Sequence, residues 1–307
     1  MKISFFIFIF QTSFFLSGYA FDDSTNQPQR YLADKDDAVR DLFTGLIWEK
    51  TISSDELVWS RDAEMGSAQA YCVGLSKGGY LDWRVPTVVE LQSLVDYLGT
   101  DPLKFDHPRL WTSESHFWKR KSGLALDLKN GFLKSYAAGS SMPVRCVRGD
   151  FLSAPDGDRF VNDKGASLVM ISDLAERNGL EQESVYARDR WTGLAWTRGS
   201  NPGMSQANAE KACQMLGESW HLPTVKEMIT LIDYKRASPA SNGTVFPFTS
   251  PYHVYFWTAT PAKQANQQGF LAVSFQDGMI EPIFESDSDA CEKPKCFVFS
   301  RCVNRSK

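Results

Sequence analysis

Two short segments carry a helical period. Behind Thr87-Val88-Val89-Glu90 the apolar positions Leu91, Leu94 and Val95 form one stripe; behind Thr224-Val225-Lys226-Glu227, Met228, Leu231 and Ile232 form another. Each segment opens on a threonine with a glutamate three residues later. That spacing predicts a capping box, in which hydroxyl and carboxylate satisfy helix amides reciprocally. A weaker helical spacing precedes each. Ser60 is expected to cap a helix carrying Ala63, Ala70 and Leu75, and Ser205 one carrying Ala209, Ala212 and Leu216. A period of two marks strands instead. Leu126-Asp127-Leu128-Lys129 alternates up to Asn130-Gly131, and Val273-Ser274-Phe275-Gln276 up to Asp277-Gly278, so each predicts a hairpin. Arg30–Asp34 and Arg159–Asp163 read as opening strands.

These elements come in the same order twice. Asp-Leu-Phe-Thr-Gly-Leu-Ile-Trp at 41–48 returns as Asp-Arg-Trp-Thr-Gly-Leu-Ala-Trp at 189–196. Trp83-Arg84-Val85-Pro86-Thr87 returns as Trp220-His221-Leu222-Pro223-Thr224, and Arg145-Cys146-Val147-Arg148 as Arg301-Cys302-Val303-Asn304. The offsets of 148, 137 and 156 describe a duplicated domain with unequal loops. So long a period excludes solenoid repeats of roughly 20–50 residues. The opening strands lie only 129 apart, so an insertion within Lys164–Val185 is expected in the second copy. The division predicted is a signal peptide at 1–20, a first domain at 21–149 and a second at 150–307.

The signal peptide is read from Lys2, the apolar run Ile3–Phe10, and Gly18-Tyr19-Ala20 as a small-residue cleavage site. Gln11-Thr12-Ser13 interrupts the run short of the ~20 apolar residues a membrane span needs. No later segment is apolar for long enough, so no membrane span is expected after cleavage. The expected location is the periplasm, the cell surface or the medium. There, six cysteines form disulfides. The repeat selects one pairing: Cys72–Cys146, Cys213–Cys302 and, for the unmatched pair, Cys291–Cys296. With 33 basic and 37 acidic residues there is no global field for nucleic acid. No C-x-x-C occurs, the four histidines lack ligand spacing, and no metal or cofactor is expected.

Together, D-x-x-T-G-L-x-W, the cysteine-bearing helix, W-R-x-P-T-x-x-E-L, W-T-S and R-C-V-R resemble the Lcl C-terminal domain family, over roughly Arg30–Arg148 and Arg159–Asn304. The resemblance implies an α+β fold: two tandem C-type-lectin-like domains, each of two helices and an antiparallel sheet, with the first helix bridged to the last strand. It also implies an exported ligand-binding or adhesive module, sulfated glycans being one known class of partner. The E-P-N, Q-P-D and W-N-D triplets of calcium-dependent lectins are missing, and Glu281-Pro282-Ile283 is no substitute.

Trp48, Trp83, Trp111, Trp196, Trp220 and Trp257 recur in both copies and are assigned to the core. Trp59 and Trp118 have no counterparts and are candidate ligand-stacking surfaces. Trp118-Lys119-Arg120-Lys121 reads either as a solvated charge run or as a grip for sulfate or carboxylate groups. On the second reading, domain one alone carries the anion-binding surface. Glu285-Ser286-Asp287-Ser288-Asp289 lacks the glycine and spacing of a calcium loop. Arg84 gives way to His221 in the second copy, which points to a structural or a dispensable residue. No G-x-S-x-G, P-loop or dinucleotide motif occurs. The related formylglycine-generating enzymes need a reactive cysteine, and here every cysteine has a structural partner. The reading is a non-catalytic protein that binds a glycan or protein on a surface; the alternatives are a structural subunit of an envelope assembly and, behind it, a formylglycine-generating-like enzyme.

Overall fold

The computed structural model describes residues 30–97, 109–119, 121–150, 158–162, 165, 167–168, 185–201, 203–238, 240–247, 255–264, 267–284 and 298–305. The expected signal peptide, Cys291–Cys296, Glu285–Asp289, Arg120 and most of the Lys164–Val185 insertion lie outside them. The fold is mixed α/β, mostly sheet with few helices.

The first copy runs β1 (Tyr31–Ala33), β2 (Ala38–Asp41), β3 (Ile47–Glu49), β4 (Leu57–Val58), α1 (Ala68–Val73), α2 (Val88–Ser93), β5 (Arg109–Ser115), β6 (Ser122–Asp127), β7 (Leu133–Ala137), β8 (Ser141–Met142) and β9 (Val147–Arg148). The second runs β10 (Phe160–Val161), β11 (Tyr186–Asp189), β12 (Ala195–Thr197), α3 (Gln206–Gln214), β13 (Trp220–His221), α4 (Val225–Met228), β14 (Tyr255–Gln264), β15 (Gln267–Ser274), β16 (Ile280–Phe284), β17 (Val298–Phe299) and β18 (Val303–Asn304). Small sheets in the orders β1-β2-β3-β9 and β10-β11-β12-β18-β13 close each copy.

The repeated motifs have local physical reasons. In D-x-x-T-G, Asp41 accepts a two-pronged bond from Arg30, Nε at 3.0 Å and Nη2 at 2.7 Å, and its Oδ1 also takes the Phe43 amide. Asp189 does the same with Arg159 and the Trp191 amide. Each arginine also donates to a carbonyl at the end of the capped helix, Ser93 or Thr230. The motif therefore ties the opening strand, its turn and a helix end together. Both capping boxes form as expected: Thr87 Oγ1 accepts from Glu90 N, Thr224 Oγ1 from Glu227 N, and each glutamate returns to the threonine amide. Arg84 grips Glu90 with two short bonds; in the second copy Arg305 takes over on Glu227, with His221 at 3.6 Å. Arg84 is structural.

Two expectations need correction. Ser60 caps nothing. Helix α1 starts at Ala68, after Ser67, whose hydroxyl accepts from Ala70 N. Gly66, at φ +82°, turns the chain just before that cap and cuts off the earlier stretch. Ser205 does cap α3. The hairpins form, but not as two-residue turns. Strand β6 ends at Asp127, whose carbonyl accepts from Gly131 N, with Gly131 at φ +75°. Asn130-Gly131 thus closes a longer loop.

Disulfides Cys72–Cys146 and Cys213–Cys302 form, joining α1 and α3 to the closing segments. Each lies in its own small core, the first with Trp83 and Trp111, the second with Leu222 and Trp257. Trp48 and Trp196 are fully buried, and Trp220 packs against Tyr186.

The larger core does not respect the duplication. One cluster joins Leu91, Leu94 and Leu126 of the first copy to Val225, Met228 and Leu231 of the second. A seven-stranded sheet ordered β17-β14-β15-β16-β7-β6-β5 likewise crosses the seam, through antiparallel pairing of β16 with β7. Those two strands are equivalents, so the copies meet about a local two-fold.

Candidate functional site

A cleft of about 1320 Å³ opens beside this seam. One wall is the segment after β4, from Trp59 to Glu64. The end of β5 and the loop into β6 supply Glu114, His116, Phe117, Lys119 and Lys121, while the second copy adds Tyr234 and Lys235. A neighbouring pocket of about 470 Å³ shares Phe117 and Lys235 and adds Arg236.

His116 shapes the loop between β5 and β6. Its Nδ1 accepts the amides of Trp118 at 3.2 Å and Lys119 at 3.3 Å, so the proton of the neutral ring sits on Nε2. Nε2 faces Asp277 Oδ2 of the second copy at 3.5 Å. Desolvation holds the imidazole below its ordinary pKa, against the pull of Asp277. The loop is thus folded over a neutral histidine anchored across the seam. Lys119 reaches back to Ser135 Oγ at 2.9 Å, and Lys121 adopts φ +60° to turn the chain into β6. Phe117 and Trp118 stand edge to face, 5.3 Å apart, and are 50% and 56% exposed.

The expected site residues fare unequally. Trp118 is exposed beside the cleft, and Lys119 and Lys121 line it. Trp59 is no stacking platform: it is 8% exposed, its Nε1 donates to Thr112 O at 3.0 Å, and its ring lies flat on β6. A Cβ at Gly123 would collide with the indole, so the glycine makes room for it. Trp59 forms the floor.

Sequence reasoning missed Arg61, Glu114, Tyr234, Lys235 and Arg236. Arg61 donates to Ser115 Oγ at 3.0 Å on the cleft wall. Tyr234 is placed by a bond to Gly278 O, and burial raises its phenol well above the ordinary range. Glu114 was visible as the difference between W-T-S-E and W-T-A-T once the copies are aligned. Its Oε2 accepts the Val88 amide at 3.0 Å, at the start of α2. In the second copy Thr260 Oγ1 accepts the equivalent Val225 amide at 2.9 Å. A neutral hydroxyl thus performs the same capping bond. Desolvation pushes the Glu114 carboxyl up to about 7.

A second Glu-to-Thr difference shows what is unusual here. Buried Glu49 accepts the Cys146 amide where Thr197 accepts that of Cys302. Glu49 is neutralised by Lys77 at 2.7 Å. Glu114 has no cation within ion-pair distance among the described residues. The described residues also contain no cluster of three or more His, Cys, Asp or Glu able to hold a metal, and no helix long and apolar enough to cross a membrane.

The family model of the Lcl C-terminal domain matches the chain twice, over residues 37–148 and 186–291, together more than two-thirds of its length. The chain belongs to that family, in tandem. No curated protein matches it.

Proposed function

We propose that this tandem member of the Lcl C-terminal domain family is an exported, non-catalytic binding protein whose ligand is an acidic glycan held in the cleft at the seam. One observation carries the reading: Arg61, Lys119, Lys121 and Lys235 converge on a single cleft with exposed aromatic rings at its rim. Guanidinium and ammonium groups hold sulfate or carboxylate through charge-assisted bonds, and an aromatic face stacks on a sugar ring. The acidic lining residues Asp62 and Glu64 set a limit on how much negative charge the ligand carries there.

Export is supported by the Lys2–Ala20 pattern and by two disulfides, which persist in oxidising compartments. The lectin-like reading of each copy is supported by a disulfide from the first helix to the closing segment. The anion-binding surface assigned to domain one extends onto Tyr234 and Lys235 of the second copy.

The test is retention of the mature chain on immobilised heparin at low salt, with early release in a salt gradient, since screening acts over about 8 Å at physiological ionic strength. Lys119→Ala, Lys121→Ala and Lys235→Ala together should abolish retention. Undiminished retention of that variant removes the cleft from the reading.

A further inference from the structure

We propose that Glu114 makes this cleft take up a proton together with its anionic ligand, so that Glu114 decides at which pH the ligand is held. The inference rests on the anion-binding reading above.

Three observations lead to it. Glu114 lies partly exposed among the cleft residues, beside the groups that would face the ligand. No cation pairs with it directly, unlike Glu49, so its charged form is favoured by the Val88 amide, the Ser113 hydroxyl and the more distant Arg84, and not by an ion pair. And the fold does not need its charge, because Thr260 makes the same bond to Val225 N with a neutral hydroxyl. What the carboxyl adds over a threonine is a proton that comes and goes.

The surroundings set the direction. On its own strand, Ser113 Oγ donates to the carboxylate at 3.2 Å, and neutral His116 lies two residues on. From α2, Glu90 disfavours the charge, though it is itself held by Arg84. From the second copy come Tyr234, whose raised phenol stays neutral, and the cation Lys235. Elsewhere in the lining, the cations Arg61, Lys119 and Lys121 are offset by the carboxylates of Asp62 and Glu64. Desolvation prevails among these, and the group titrates near neutrality. A ligand sulfate or carboxylate adds one more negative charge and displaces water. Both effects favour the neutral acid, which can then donate a hydrogen bond to the ligand oxygen. By linkage, ligand binding takes up a proton and weakens as the pH rises through that range. Desolvation holds His116 below the ordinary histidine value, and the imidazole is present in wild type and Glu114 variant alike, so comparison of the two reads Glu114.

The experiment is calorimetric binding of heparin oligosaccharides to the mature chain between about pH 6 and about pH 8. Each pH is run in two buffers of different ionisation enthalpy. The wild type should bind roughly tenfold more tightly at the lower pH, the scale of a nearby like-charge repulsion, with net proton uptake near neutrality. Glu114→Thr, which copies the second domain, and Glu114→Gln should each bind with an affinity almost independent of pH, with no such uptake. A wild-type profile that matches both variants overturns the proposal while leaving the cleft reading intact. Tighter binding at high pH overturns it too, since that is the sign expected of a cationic ligand. No binding at any pH overturns both readings. Proton uptake is read on the wild type, so poor folding of a variant does not remove the test.

Discussion

Leu133 pairs with Ile280 across the seam, and each occupies in its own copy the position the other holds in the second. Both are fully buried. The pairing makes two edge strands neighbours in one sheet and covers the first residue of each edge, where an open ladder would otherwise begin. Each copy is therefore incomplete without the other.

That relationship predicts cooperative unfolding. Denaturation of the mature chain should show one transition by tryptophan fluorescence and by far-ultraviolet circular dichroism. Leu133→Ala or Ile280→Ala should lower that same transition by about 2–5 kcal/mol. Two separate transitions, only one of them moved by each variant, would show that the copies are independent.

The disulfides predict a mapping result and a stability result. Non-reducing peptide mapping should recover Cys72–Cys146 and Cys213–Cys302, and is expected to add Cys291–Cys296. The two long bridges span 74 and 89 positions. Cys213→Ser should cost about 2–5 kcal/mol, as loss of a native bridge does. A bridge linking the two copies would break the division into repeats.

The capping box of the second copy lies away from the cleft and tests the structural reading of W-x-x-P-T. Thr224→Ala removes the acceptor for Glu227 N and should cost about 0.5–2 kcal/mol. Retention on heparin should be unchanged. Lost retention at unchanged stability would place this threonine in a binding site.

Glu114 also predicts how stability depends on pH. Its folded-state pKa is raised from 4.5 to about 7. Between those values the folded protein holds a proton that the unfolded chain has released. Stability therefore declines as the pH rises through that window and stays lower above it. Glu114→Thr should lose this part of the decline, so that the melting temperature of the variant gains on the wild type from about pH 5 to about pH 8. Parallel curves would show that the carboxyl is not desolvated.

Much of the frame was legible because it depends on neighbours in sequence or on the repeat. The capping boxes need residues only three apart, and the long disulfides followed from matching Cys72 with Cys213 and Cys146 with Cys302. Ser60 misled because a serine before spaced alanines looks like a cap. Only the backbone turn at Gly66 shows that the chain is not yet helical there. Trp59 misled for a different reason. A tryptophan without a counterpart looks like a surface residue, until Gly123, more than sixty positions away, turns out to leave room for its ring.

The sequence by itself determined that one domain occurs twice, how its two capping-box helices begin and how the four cysteines of the two long bridges pair. These are consequences of short-range hydrogen bonding and of comparing one copy with the other. Only the tertiary structure decided that β7 meets β16, that the larger core is shared, and that Lys235 and Lys119 line one cleft. Those features arise from burying apolar surface between segments more than a hundred residues apart, and no local spacing encodes which buried faces will meet.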